Sequence, residues 1–399
     1  MKEKRVIVGV TGGIAAYKAA ELVRLLVKAG AQTKVAMTQS ATKFVTPLTF
    51  EALSGNKVIS DMWDAGTGPM DHIHWGQNAD LLVIAPATAN FIAKLAHGLG
   101  DDFLSTMVLA ASAKILVCPA MNSQMFVNPA VQANLALLRD RGYEVMEPAE
   151  GGLACGTAGL GRLPEPEDIL EEGRRLLATQ DLAGMRFLVT AGPTIEPLDP
   201  VRYMTNRSSG RMGYALARAA RMRGGRVTLV SGPTNLKHPA GVVFKGVKTA
   251  EEMHRAVIEG CENFDVIIKA AAVLDYKPKE RSVHKLKRKG GEHTLDLVEN
   301  PDILAELGCR KSEGRPLLVG FAAETQEILA HATEKLKRKN LDMMVANDVS
   351  RHDAGFEVDT NAVKVIYRDG RIEEWALMAK EEVADRLLDR IKAMWEKAC

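Results

Sequence analysis

Three arginines and two serines crowd one stretch of this chain: Arg202, Arg207 and Arg211, with Ser208 and Ser209. They fall in residues 189–213 (VTAGPTIEPLDPVRYMTNRSSGRMG), after the apolar run RFLVT and before the helix-forming RMGYALARAARMRG. Guanidinium groups, hydroxyls and the unpaired N–H groups of a helix start together suit a phosphate. The connection is too long for a simple strand-to-helix link, which argues for binding. Earlier in the chain stands Asp71-His72-Ile73-His74. An imidazole titrating near neutrality can handle a proton. The HxH spacing also permits a metal pair, although no third ligand stands nearby. Asn122 in PAMN both donates and accepts, so it can grip a carboxylate or an amide. Cys155 sits in GGLACGTAGLGRL, a glycine-rich stretch that suits a lid over a substrate or an inert buried thiol.

Such scattered groups need a scaffold that gathers distant loops. The 399 residues suit two α/β domains. Hydrophobic content of 46% and charged content of 26% are ordinary for a globular protein, and a net charge of +2 gives no general reason to expect nucleic acid. The five cysteines (Cys118, Cys155, Cys261, Cys309, Cys399) are odd in number and form no CxxC, as fits reduced thiols in a cytoplasm. The apolar run in MKEKRVIVGVTGG is too short for a signal sequence, and no run approaches the ~20 apolar residues of a membrane span.

Residues 5–11 read as a buried strand, GGIAAYKAAELVRLLVKAG as a helix closed by Gly30, and QTKVAMT as the next strand. A second strand–helix pattern is expected through residues 50–55, and ADLLVIAPAT, KILVCPAMN and GYEVMEP are further strands. Residues 164–184 form one charged helix and a boundary, so the domains are expected at 1–180 and 186–399. The second half restarts with RFLVT, GGRVTLVSGP, VVFKGV, DVIIKAAAV, PLLVGFAAET and LDMMVAND as strands, and ends with a hairpin about Asp369-Gly370 and a helix over 380–397. Residues 275–294 are polar, basic and too irregular for a core element. Strands alternating with helices predict an α/β fold of two doubly wound, mostly parallel sheets, with ligands beyond the carboxyl ends of the strands.

VGVTGGIAAYK, PLTFEALSG, DHIHWG, ADLLVIAPATAN, PAMN and LACGTAGLGRLPE, in this order, resemble the flavin-dependent cysteine decarboxylase family over residues 4–175. The resemblance implies a flavodoxin-like domain that binds FMN and acts on a pantothenoyl or peptidyl cysteine. It assigns Gly12, Gly13 and Ile14 to the FMN phosphate and adds Thr38, Thr88, Ser105 and Thr106 as cofactor contacts. Taken one at a time, each of those hydroxyls also suits a cap or turn. It gives His72 and Asn122 catalytic places, and has Cys155 act late, when the oxidised intermediate is reduced. Flavin is needed because the departing carboxylate has no electron sink until the neighbouring thiol is oxidised.

From residue 186 to 395, AGPTIEPLDPVRYMTNRSSGRMG, AAAVLDY, HKLKRK, NPDIL, GFAAET and KRKNLDMMVANDVS resemble phosphopantothenate–cysteine ligase. Alone, KLKRK is a solvated basic face or a nucleic-acid contact. The resemblance makes Lys285 a catalytic contact to a triphosphate, where the family more often has Lys-x-Lys-Lys and this chain has Arg288 in fourth place. It places Asp275, Pro301, Asp302, Ile303, Leu304, Phe321, Lys335 and Lys339 at CTP, with Asp275 also at Mg2+, and gives Asn206 to turnover of an acyl-cytidylate. It implies small-molecule substrates, no nucleic acid or membrane partner, and a cytoplasmic homo-oligomer, trimer-based through the FMN domain and dimeric through the ligase domain. Two other readings stay open: a nicotinamide oxidoreductase, against which no GxGxxG follows either first strand, and a non-catalytic flavoprotein.

Overall fold

The RVIVGV run forms strand β1 (Arg5–Val10) in the computed structural model, which describes all residues except 64–67, 69, 153–157, 288–293, 313, 325–327, 349–357 and 399. Val6, Val8 and Val10 alternate with Ile7 and all four are buried, so both faces of the strand must be covered. Helix α1 (Ala16–Lys28) supplies one cover, because Ala16, Ala19, Leu22, Val23 and Leu26 recur every three or four residues along a buried face. The chain divides into two compact units, Met1–Ala178 and Thr179–Cys399.

The first unit continues with β2 (Gln32–Met37), α2 (Pro47–Ser54), α3 (Asp71–Asn78), β3 (Leu81–Ala87), α4 (Ala89–His97) and α5 (Phe103–Leu109). Then come β4 (Lys114–Pro119), α6 (Ser123–Phe126), α7 (Pro129–Asp140) and β5 (Glu144–Val145). A short antiparallel ribbon, β6 (Ala149–Gly152) with β7 (Ala158–Arg162), precedes α8 (Pro166–Leu177). The parallel sheet runs β2-β1-β3-β4-β5, a flavodoxin-like order. Its direction of winding reverses between β1 and β3, so the loops after those strands part and leave a crevice.

The second unit opens with β8 (Arg186–Ala191), a small hairpin of β9 (Ile195–Pro197) and β10 (Tyr203–Thr205), then α9 (Arg211–Met222). It continues through β11 (Arg226–Ser231), β12 (Val243–Gly246), α10 (Ala250–Ile258), β13 (Val266–Lys269), β14 (Tyr276–Pro278) and β15 (Leu297–Glu299). It closes with α11 (Ile303–Arg310), β16 (Leu317–Glu324), α12 (Ile328–Arg338), β17 (Met343–Asp348), β18 (Thr360–Tyr367), β19 (Ile372–Ala379) and α13 (Lys380–Ala398). The sheet order is β12-β11-β8-β13-β16-β17-β18-β19, with the first six strands parallel and the last two an antiparallel hairpin at one edge. In chain order those six parallel strands read 3-2-1-4-5-6, the Rossmann arrangement, with its switch point between β8 and β13. Gly213 lets α9 lie directly on β8. A Cβ there would stand 2.6 Å from Ala191 Cβ and 2.8 Å from the Thr190 carbonyl oxygen.

Both units are thus α/β and doubly wound, as the alternation of patterns predicts. Local details differ. The stretch 189–213 is not strand, loop and helix alone, because IEP and YMT pair as β9 and β10, too short to show alternation in sequence. Within 275–294, Tyr276–Pro278 pairs with Leu297–Glu299. No strand forms through residues 50–55; α2 occupies them, and only Ile59 bridges to Ala36. Of GYEVMEP, only Glu144 and Val145 join the sheet.

Candidate functional site

In the first unit the loops after β1, β3 and β4 surround a cavity of ≈ 570 Å³, lined by Gly12, Gly13, Ile14, Thr88 and Asn122. Gly12 is forced by contact: a Cβ there would lie 2.4 Å from Ser40 Cβ. Thr88 caps α4 by accepting from the Phe91 N–H, while its own N–H donates to Thr11 Oγ1 at 3.0 Å. Asn122 caps α6, its Oδ1 accepting from Gln124 N–H at 2.8 Å. The cavity also holds two cations that sequence reasoning missed, Lys18 and Arg162. They share one carboxylate, Glu165, at 3.0 and 2.9 Å, which leaves this wall net positive. The available signal was a lysine on the otherwise apolar buried face of α1.

Two hydroxyls near these loops ask for a ligand. Thr38 Oγ1, just beyond β2, and Ser123 Oγ, beside Asn122, are buried with no hydrogen-bond partner among the described residues. Leaving such a group unpaired costs about 1–3 kcal/mol, which a polar ligand atom would recover. The residues present therefore fit a phosphorylated, hydroxyl-bearing cofactor.

Other predicted residues lie elsewhere. His72 is half-buried in the first turn of α3 and is not among the residues lining this cavity. His74 lines a separate cavity with Arg5, Trp75 and Asn78, at the amino end of β1. No group of three or more His, Cys, Asp or Glu that could hold a metal occurs among the described residues, so the HxH pair gains no partner. Ser105 and Thr106 spend their hydroxyls on Asp102, at 3.0 Å to its carboxylate and 2.8 Å to its carbonyl. Asp102 and Ser105 form a capping box for α5. Cys155 and Arg288 lie outside the described residues. Cys118 is buried in β4, and burial pushes its thiol pKa upward, as suits an inert thiol.

In the second unit a cavity of ≈ 340 Å³ opens at the carboxyl ends of β8, β13, β16 and β17. Of the predicted residues, Asn206, Asp275, Leu304, Phe321, Lys335 and Lys339 line it. A neighbouring cavity of ≈ 390 Å³ is lined by Pro301, Asp302 and Ile303, and shares Asp275, Leu304 and Lys339 with the first. Asn206 Nδ2 donates to the Ala272 carbonyl at 3.1 Å, tying the 189–213 stretch to the end of β13. Ser208, Ser209 and Gly210 lead into α9, and Gly210 adopts φ +77° at its cap. Asp302 caps α11 and pairs with Lys339 at 2.8 Å. Burial opposes the Asp302 charge, yet Lys339 and the Ala305 N–H outweigh it and hold the carboxyl below its usual range.

The three arginines do not act together. Arg207 and Arg211 line the cavity, but Arg202 sits in the β9–β10 connection 3.9 Å from Asp199. This corrects the expectation of a triple arginine cluster; the hairpin carries Arg202 away. Asp199 is 2% exposed. Burial works against its charge, but the N–H groups of Val201, Leu286 and Arg202 outweigh that and lower its pKa. Lys285 is exposed, next to the Leu286 N–H that Asp199 holds, and it does not line either cavity.

Lys269, Asn347, Asn361 and Lys380 line the larger-set cavity of this unit and were not read from sequence. Lys269 ends β13, where a lysine after VII was the signal. Burial, then the charge of Lys339, bring its pKa down to about 8, with Asp302 and Asp275 pulling the other way.

Two doubly wound units with polar clefts at their switch points are the build of cofactor- and nucleotide-using enzymes. The family described as DNA/pantothenate metabolism flavoprotein C-terminal domain matches residues 182–394, and the family described as Flavoprotein matches residues 1–177. The coenzyme A biosynthesis bifunctional protein CoaBC of Bacillus subtilis (strain 168) is 47% identical over 399 residues, covering 99% of this chain and 98% of its own. That of Escherichia coli (strain K12) is 44% identical over 399 residues, covering 99% of this chain and 98% of its own. A crystal structure of the C-terminal domain of a CoaBC protein is 44% identical, covers 55% of this chain and 100% of that chain, and has a TM-score of 0.48. The chain belongs to the coenzyme A biosynthesis bifunctional protein family: it is an enzyme that carries a decarboxylase and a ligase on one polypeptide.

Thr38 yields a test of cofactor fit. Thr38→Val removes a hydroxyl with no protein partner, so the flavin-free protein is expected to keep or gain stability, by up to about 1 kcal/mol. Bound flavin per chain is expected to fall. Thermal unfolding with and without flavin, beside the flavin absorbance, reads both; unchanged flavin retention would remove Thr38 from the site.

Proposed function

We propose that the second unit joins 4′-phosphopantothenate to L-cysteine through an acyl-cytidylate made from CTP. The first unit then decarboxylates 4′-phosphopantothenoyl-L-cysteine to 4′-phosphopantetheine with FMN. The observation that carries this reading is the meeting of Asn206, Asp275, Leu304, Phe321, Lys335 and Lys339, scattered over more than a hundred residues of chain, around one cavity.

In the ligase the substrate carboxylate attacks the α-phosphorus of CTP and pyrophosphate leaves. The cysteine nitrogen then attacks the acyl carbon; the C–N bond forms, CMP departs and a proton passes to solvent. Lys335, Lys339 and Lys269 would offset the phosphate charge, with the start of α9 assisting. A helix start contributes at most about 2 kcal/mol. Each charge-assisted hydrogen bond contributes about 1.5–3 kcal/mol, so the lysines dominate. Phe321 would border the cytosine, and Pro301, Asp302, Ile303 and Leu304 would meet base or phosphate through the start of α11. Mg2+ is commonly held by one or two carboxylates plus phosphates, so Asp275 would suffice as its protein ligand. Asn206, fixed on Ala272, would stand beside the anhydride. Lys285 would reach the triphosphate from its exposed segment, which Asp199 anchors.

In the decarboxylase, FMN would supply reversible hydride acceptance at the cysteine thiol. The amides of Gly12, Gly13 and Ile14, with Thr38 and Thr88, would hold it. Asn122 would grip the substrate carboxylate, Lys18 and Arg162 would add positive charge, and His72 and Cys155 would handle protons. Ser105 and Thr106 would serve through the cap that fixes α5. That His72 lies outside the cavity of its own unit supports a site completed by a second copy, as does the exposure of the cavity-lining Ile14 and Tyr17. A homo-oligomer, trimer-based in the first unit and dimeric in the second, is part of this proposal. So is a cytoplasmic location; among the described residues no helix is long and apolar enough to cross a membrane.

Asn122→Ala should lower CO2 release from 4′-phosphopantothenoylcysteine by about a hundredfold or more, the size of losing a charge-assisted contact. Pyrophosphate release by the ligase should stay unchanged. Parallel loss of both activities, or of neither, would contradict the assignment.

Lys269 predicts a pH profile. Below about 8 it is charged and attracts the triphosphate; above, the cleft loses that charge. The value of kcat/KM for CTP should therefore fall as pH rises through this range, and Lys269→Arg should move the fall to higher pH. A wild-type profile flat from pH 7 to 9 would sink the role.

A further inference from the structure

The far wall of the ligase cavity, at the ends of β17 and β18, carries Asn347 and Asn361. They are 9% and 2% exposed, and both Oδ1 atoms are buried with no hydrogen-bond partner among the described residues. Two unpaired acceptors lining one cavity cost about 1–3 kcal/mol each unless a ligand donates to them. Beside them Lys380, 4% exposed, brings a positive charge to the same wall, and Arg211 pairs with Asp359 at 2.8 Å one turn of chain away.

The ligand that fits has N–H donors, no acceptor at the same atom, and an anionic group nearby. An amine meets the first two conditions; a hydroxyl or a cytosine edge presents an acceptor beside its donor. The phosphates already have the lysines and the start of α9. We infer that Asn347 and Asn361 form the subsite for the incoming amino acid, their amide oxygens receiving its amine N–H groups while Lys380 faces its carboxylate. This rests on the proposed ligase reaction and assigns its second substrate a place. Two fixed acceptors would orient the nitrogen lone pair toward the acyl carbon, a gain in position that the first half-reaction does not use.

The test separates the half-reactions. Full-length Asn361→Leu and Asn347→Leu are mixed with CTP, phosphopantothenate and Mg2+, and the pyrophosphate burst is measured before and after L-cysteine is added. The expected result is a burst within about twofold of wild type and a KM for cysteine raised about tenfold or more. Asn361→Asp, which keeps the acceptor, should hold KM for cysteine near the wild-type value, which also guards against a folding defect. A KM for cysteine unchanged in both leucine variants, or a burst that falls in step with it, overturns the subsite. Absence of any burst in wild type overturns the ligase reading itself.

Discussion

Parallel pairing fixes where this protein can do chemistry. A parallel strand must be joined to the next by a crossover, so all strand ends of one sense face one way, and the loops there carry the variable residues. Where the winding reverses, between β1 and β3 and again between β8 and β13, the crossovers leave on opposite faces and a crevice is unavoidable. The cavities that gather the motif residues stand at these strand ends. Their small residues follow from the same constraint: Gly213 lets α9 touch β8, and Gly12 lets the loop after β1 touch Ser40.

Charge is then distributed by distance from the sheet. In the second unit Lys269 stands at a strand end, Lys335 on α12 and Lys339 just after it, so the cations approach from the strand, helix and loop layers. Asp199 organises the outer layer. One buried carboxylate takes N–H groups from its own turn and from Leu286, so the hairpin after β8 and the basic segment hold each other in place. In the first unit Glu165 draws Lys18 and Arg162 together across 147 positions of sequence.

The sheets were legible in the sequence because apolar strands and amphipathic helices alternate with distinct periods. What sequence hid was short or local. The strands β9 and β10 have three residues each, too few for a pattern. Ser105 looks like a ligand contact and is a cap, because Asp102-x-x-Ser spacing serves the helix before anything else. Arg202 seemed grouped with Arg207 and Arg211 until the hairpin separated them. Asn347 and Asn361 carry no signal in a string of letters, since an unpaired amide oxygen is a property of the fold alone. Family resemblance reached residues such as Asn206 and Phe321 that spacing by itself would not have chosen.

The central claim is that the two units perform consecutive steps, with ligation supplying the substrate of decarboxylation. Flavin-loaded full-length protein given 4′-phosphopantothenate, L-cysteine, CTP and Mg2+ tests this by parallel measurement of pyrophosphate and CO2. The account predicts that both appear, that CO2 lags behind pyrophosphate and approaches one per pyrophosphate, and that omitting CTP abolishes both. CO2 released without CTP, or pyrophosphate released with no CO2 to follow, would contradict it.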